Sequence, residues 1–138
     1  MIFKKNKQSL FFEEKAKYQN KKITQEQVHK IAETLTVVKT EKLFKNPDIK
    51  LSDIAKRTNV LPHTLSQFLN DNLGKSFSVF INEYRIEEAK NLLIANANFT
   101  IEAIGYESGF NSKSTFFTTF KSITGTTSAK YKAQNKSI

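Results

Sequence analysis

The chain has 138 residues, enough for one domain with a real core or two very small ones, and its 38% apolar content with 12 Phe is ordinary globular chemistry. It contains no Cys, which excludes disulfides, zinc thiolates and thiol nucleophiles. The formal net charge of +9 favours a polyanionic partner.

Residues 1–22 hold seven Lys against Glu13 and Glu14, so +5 of the +9 lies there. This stretch reads as a basic, poorly ordered lead-in, either a nonspecific electrostatic arm or a solvated tail. Met1-Ile2-Phe3 ahead of Lys4-Lys5 is too short an apolar run for a signal peptide. No later stretch approaches the roughly 20 apolar residues of a membrane span. The body, 23–138, then follows. Thr24 with Gln27 fits a capping box. Val28, Ile31, Leu35 and Val38 fall on one face of a first helix, which runs to about Phe44 and stops before Pro47.

Leu51-Ser52-Asp53-Ile54-Ala55 opens a short second helix, and Asn59-Val60-Leu61 is a tight connection. Pro62 suits the first position of a third helix, which ends at about Asn72 with Gly74 beyond it as a C-terminal cap. A long helix over about 77–95 carries Phe80, Ile81, Tyr84, Ile86, Ala89, Leu92 and Leu93, apolar on more than one side. After a loop at 96–99 the earlier pattern returns. Ile101-x-x-Ile104-Gly105 repeats Leu51-x-x-Ile54-Ala55 at an offset of 50. Phe116-x3-Phe120-x4-Gly125 repeats Leu65-x3-Leu69-x4-Gly74 at an offset of 51, the extra residue falling in the turn Gly109-Phe110-Asn111. Each repeat is a short helix, a tight turn and a helix of about three turns, the pattern of a helix-turn-helix unit.

The run Gly109-Phe110-Asn111-Ser112-Lys113-Ser114-Thr115-Phe116, continuing to Phe120-Lys121 and Gly125, resembles the signature of AraC/XylS-type regulators. Gly74-Lys75-Ser76-Phe77, then Arg85-Ile86-x-x-Ala89 and Leu92-Leu93, resembles the segment that joins that family's two units. The resemblance covers about residues 43–132. It implies an all-α fold of about seven helices: a first helix-turn-helix over about 51–73, a linking helix over about 77–95 and a second helix-turn-helix over about 100–124. It also implies a bacterial-type transcription regulator that binds double-stranded DNA, works with RNA polymerase and places each unit's second helix in one of two successive major grooves. Four positions depart from the family's habit. Leu61 stands for the usual N-cap Ser, Leu69 for Phe, Thr118 for a frequent Arg, and Ser128 for Pro.

On the third helix Leu65 and Leu69 face inward, and the opposite side presents His63, Ser66, Gln67 and Asn70. The resemblance makes His63, Ser66 and Gln67 base-reading residues; Gln can pair bidentately with adenine. On the second unit's reading helix Phe116 and Phe120 are the core pair, and Lys113, Ser114, Phe117 and Thr118 lie on the other side as base readers. Lys113 suits guanine or a phosphate, and Phe117 suits a thymine methyl. Thr64, Asn111, Ser112 and Lys121 are candidates for phosphate contacts, as is Lys75.

An enzyme is disfavoured. His29 and His63 are far apart, and no phosphate-cradling Gly loop, metal-spaced cluster or nucleophile motif occurs. No cofactor, metal or small-molecule site is expected. The alternative is a helical protein-interaction module of the same fold without specific DNA binding. The absence of Asp and Glu between His63 and Asn70, and between Asn111 and Phe120, favours DNA. Residues 1–42 hold no sensor domain. The order of Tyr18, Thr24 and an amphipathic first helix resembles the cytosolic tail of family members tethered to a membrane-embedded sensor. A cytoplasmic fragment of a larger regulator, with the first helix as a homodimerisation element, is one expectation; a free-standing small regulator is the other.

Overall fold

In the computed structural model residues 23–95 and 98–135 are described; the basic lead-in over 1–22 lies outside the described residues. The described chain is all helical: α1 (Gln25–Thr40), a 3₁₀ turn (Leu43–Lys45), α2 (Leu51–Thr58), α3 (Pro62–Leu73), α4 (Phe77–Ala95), α5 (Ile101–Glu107), α6 (Lys113–Thr124) and α7 (Ser128–Gln134). Two compact units form. Residues 23–43 and 49–80 make the first, and 44–48 with 81–135 make the second.

The capping box at Thr24 is formed. Its Oγ1 accepts the Gln27 N–H at 3.1 Å, and Gln27 Oε1 accepts the Thr24 N–H at 3.0 Å. α1 ends at Thr40, short of the Phe44 that periodicity suggests; Lys42 turns to a φ of 54° and a 3₁₀ turn follows. Beyond the helix the Phe44 carbonyl accepts from the Nε of Arg85 at 2.7 Å. The Phe44 ring stacks on Tyr84 with centroids 5.8 Å apart.

In the first unit, Ile31 and Val38 of α1, Ile54 and Ala55 of α2, and Leu65, Phe68 and Leu69 of α3 are all fully buried. α3 begins at Pro62 with Leu61 as an N-cap that makes no side-chain hydrogen bond, and ends on Gly74 at a φ of 67°. Lacking a Ser, Thr, Asn or Asp there costs ~1 kcal/mol.

The second unit has an aromatic core. Ile86, Ala89 and Leu93 of α4 and Ile104 of α5 surround Phe110, Phe116 and Phe120, with Tyr131 half-buried at the edge. Phe116 lies 5.3 Å from Phe110 and 5.8 Å from Phe120, ring centre to ring centre, within the range of favourable tilted pairs. Every helix start after α4 is capped by a hydroxyl. Thr100, Ser112 and Thr127 accept from the N–H groups of Ala103, Thr115 and Lys130. Ser128 occupies the first position of α7, where Pro is also at home because that N–H has no helical partner.

The internal repeat extends to hydrogen bonds. Thr58 Oγ1 donates to the Ala55 carbonyl at 2.8 Å, and Ser108 Oγ to that of Ile104 at 2.7 Å; both hydroxyls are buried. Val60 N–H donates to Ala55 and Phe110 N–H to Gly105. Asn59 and Gly109 hold the same turn position at φ of 61° and 113°. These bonds close each turn tightly and set the second helix of each pair against the first.

Candidate nucleic-acid interface

Burying Leu65, Phe68 and Leu69 turns the opposite side of α3 to solvent. His63 and Asn70 are exposed there, and Ser66 and Gln67 are half-buried. Thr64 does not join them. It is only 6% exposed, on the Phe68 side of the helix, and its N–H donates to the Leu61 carbonyl. This corrects the expectation that Thr64 reaches a phosphate. Residues i and i+4 share a helix face, so a buried Phe68 carries Thr64 inward with it.

α6 keeps its expected face. Lys113, Ser114, Phe117, Thr118 and Lys121 are all exposed, as is Asn111 in the turn before it. Phe117 is 40% exposed and leans on the Phe116 ring with centroids 5.6 Å apart, so one edge is held while the rest meets solvent. Ser112 is half-buried, and its oxygen accepts the Thr115 N–H at 3.0 Å. Lys75 is half-buried at the start of the segment leading to α4.

The two faces differ in charge. α3 has no Lys or Arg along its whole length, whereas α6 carries Lys113 at its start and Lys121 in its last turn. Neither face bears an acidic residue between His63 and Asn70 or between Asn111 and Phe120. Among the described residues no group of three or more His, Asp or Glu could hold a metal ion.

Two features were not anticipated from the sequence. An open groove of about 800 Å³ runs beside α6, lined by Phe117, Thr118 and Lys121 together with Ile101 and Glu102 of α5 and the residues around the start of α7. It arises where three helix segments meet, so no local pattern announces it. The second feature is Arg85, a half-buried guanidinium on α4. Its Nε and Nη2 donate to the carbonyls of Phe44 and Asn46, its Nη1 to Asn82 Oδ1, and it lies over the Phe110 ring. Burial pushes this guanidinium down from its ordinary value, yet an arginine stays protonated in a protein. Burial, and then the Glu83 charge, push the neighbouring Tyr84 hydroxyl up.

Residues 54–134 match the family described as a helix-turn-helix domain. Over 91 residues the chain is 29% identical to the uncharacterized HTH-type transcriptional regulator YtdP of Bacillus subtilis, across 66% of this chain and 12% of that protein. The chain therefore spans a small part of the length of such relatives. Among solved structures it is similar to the C-terminal domain of AraT, a response regulator from Geobacillus stearothermophilus. That match has 24% identity and a TM-score of 0.66, over 85% of this chain and 91% of that one. It is also similar to a transcriptional regulator from Chromobacterium violaceum, of the AraC-type DNA-binding domain-containing proteins. Here identity is 25% and the TM-score 0.63, over 75% of this chain and 93% of that one.

Proposed function

Since the chain belongs to the AraC-type helix-turn-helix family, we propose that it is a sequence-specific DNA-binding transcription regulator whose reading helices, α3 and α6, enter successive major grooves. The observation that carries this reading is the pair of exposed polar helix faces, free of Asp and Glu from His63 to Asn70 and from Asn111 to Phe120, each on the second helix of a helix-turn-helix unit. A polyanion would repel carboxylates at those positions, and hydroxyls, amides and ammonium groups are what base edges and phosphates accept.

In this reading His63, Ser66 and Gln67 meet base edges from α3, with Gln67 suited to adenine. Lys113, Ser114, Phe117 and Thr118 do so from α6. Asn111 and Lys121 hold phosphates, and Ser112 contributes through the helix N-terminus that it caps. Thr64 is left out, being buried. RNA polymerase is a further partner in this reading, by family resemblance, and the cytoplasm is the compartment where the chain would meet both. Self-association through α1 would use its exposed residues, such as His29, Glu33 and Thr36, because Ile31 and Val38 are already buried. No helix among the described residues is long and apolar enough to cross a membrane.

The test is selection of bound duplexes from a random pool at near-physiological salt. The reading expects two short motifs about one turn, ~34 Å, apart in an asymmetric site. Retention that is only salt-sensitive, with no motif enriched, would overturn it in favour of a nonspecific binder or a protein-interaction module.

A further inference from the structure

Leu61 is 71% exposed, more than any other large apolar residue described. It is the N-cap of α3, the residue from which the reading helix starts. Nothing in the fold asks for leucine at this position. The side chain makes no capping bond. The backbone is extended, at φ −71° and ψ 144°, which any capping residue adopts without strain. The carbonyl does the local work, accepting the N–H groups of Thr64 and Leu65 at 3.0 and 3.1 Å. The equivalent residue of the second unit, Ser112, shows what the position ordinarily does: its hydroxyl caps α6 by accepting from Thr115. Leu61 thus forgoes a cap and leaves its apolar surface in water.

The surroundings say what kind of contact would use it. α3 has no cation anywhere between Pro62 and Leu73, so it cannot hold a phosphate through charge. Its first turn is the part of a reading helix that lies closest to base edges. His63 follows two residues later and is exposed. An aliphatic side chain in a major groove has one apolar partner among the bases, the C5-methyl of thymine. We propose that Leu61 is a specificity-determining residue that packs on a thymine methyl beside the base read by His63. Where α6 approaches DNA with Lys113 and Lys121, α3 approaches it with a methyl contact and neutral hydrogen-bonding groups.

This inference rests on the DNA-binding reading above, and the experiment separates the two. The duplex selected by the full chain is resynthesised with each thymine in turn replaced by deoxyuridine, which lacks only the methyl. Wild type, Leu61→Ala and Leu61→Ser are compared on every duplex. At one thymine in the half read by α3, the replacement should weaken wild type about fourfold, the value of one buried methyl group. The same replacement should leave both variants unchanged. Leu61→Ser should also melt ~4 °C higher, because it restores a cap, while binding the parent duplex more weakly. A stability gain with an affinity loss is not what a folding role would produce. Variants that bind the parent duplex as tightly as wild type, or that respond to every uracil as wild type does, would overturn the proposal. Failure to enrich any duplex would instead overturn the DNA-binding reading, and this inference with it.

Discussion

Arg85 Nε donates to the carbonyl oxygen of Phe44 at 2.7 Å, between residues 41 apart in sequence. The same guanidinium reaches the Asn46 carbonyl through Nη2 at 3.0 Å, so one planar fork holds two carbonyls of the 44–48 segment. Hydrogen bonds from a charged donor are worth about 1.5–3 kcal/mol each when their loss leaves the partner unmet. Arg85→Met is expected to destabilise the protein by about 2–3 kcal/mol in urea titration. Arg85→Lys should recover less than half of that, since an ammonium is a point charge and cannot serve both carbonyls in one plane. A lysine variant with the wild-type midpoint would show that charge alone suffices.

Gly109 and Asn59 hold the same turn position, yet only one of them has to be glycine. A Cβ on Gly109 would strike the Phe44 carbonyl and come within 2.8 Å of Arg85 Nε, on a backbone at φ 113°. Asn59 is exposed at φ 61°, in the left-handed region that Asn tolerates. Gly109→Ala should therefore cost about 2–3 kcal/mol, from backbone strain plus displacement of Arg85. Asn59→Gly should stay within about 0.5 kcal/mol of wild type. Equal thermal shifts for the two substitutions would contradict this account.

Much of this was legible from local pattern. The Thr24 capping box, the terminal glycines at 74 and 125 and the apolar anchors at offsets of 50 and 51 all stand where spacing puts them, because each depends on neighbours within a turn of helix. Two features depended on something farther away. The 3₁₀ turn after α1 hands the Phe44 carbonyl to Arg85, 41 residues on. The groove beside α6 needs three helix segments that no single window contains. Thr64 was readable in principle. Treating Phe68 as an anchor alongside Leu65 and Leu69 puts Thr64 one turn before it on the buried face, whereas the two leucines alone leave Thr64 looking free.

Gly105 and Phe116 form the tight point of the second helix pair. A Cβ on Gly105 would lie 2.6 Å from the Phe116 ring, a ring that is itself fully buried. The corresponding residues of the first unit are Ala55 and Leu65, both buried, a larger residue in place of the glycine and a smaller one in place of the ring. Gly105→Ala should cost about 1–3 kcal/mol despite alanine's better helix propensity. Adding Phe116→Leu should return part of that loss, with a coupling of about 1 kcal/mol in a double-mutant cycle. Additive effects would mean that the glycine is required for some other reason.

The charge difference between the reading helices predicts a division in salt dependence. Each phosphate neutralised contributes about 0.9 to the slope of log affinity against log salt. Lys121→Ala should lower that slope by about one and weaken binding to all sequences alike. Gln67→Ala, on the helix without Lys or Arg, should leave the slope intact and relax preference at one base pair by about 1–3 kcal/mol. Fluorescence anisotropy across a salt series on parent and mismatched duplexes reads both quantities. Equal weakening on parent and mismatched duplexes from Gln67→Ala would place α3 on the backbone and not on base edges.

Phe117 decides whether the α6 face reads a base or only completes the core. It is 40% exposed, but it also leans on Phe116, whose ring is central to the second unit. Truncating a core phenylalanine costs about 3–5 kcal/mol. A half-exposed ring with one aromatic neighbour should cost far less, about 1 kcal/mol, close to the value of the pair itself. Phe117→Ala is therefore expected to shift melting only slightly while weakening binding at a thymine-containing position of the α6 half-site. Phe117→Leu, which keeps apolar contact without the ring, should recover part of the affinity. If Phe117→Ala instead melts many degrees lower and keeps the wild-type base preference, the ring belongs to the fold. The apolar part of α6 recognition would then have to come from the Thr118 methyl next to it.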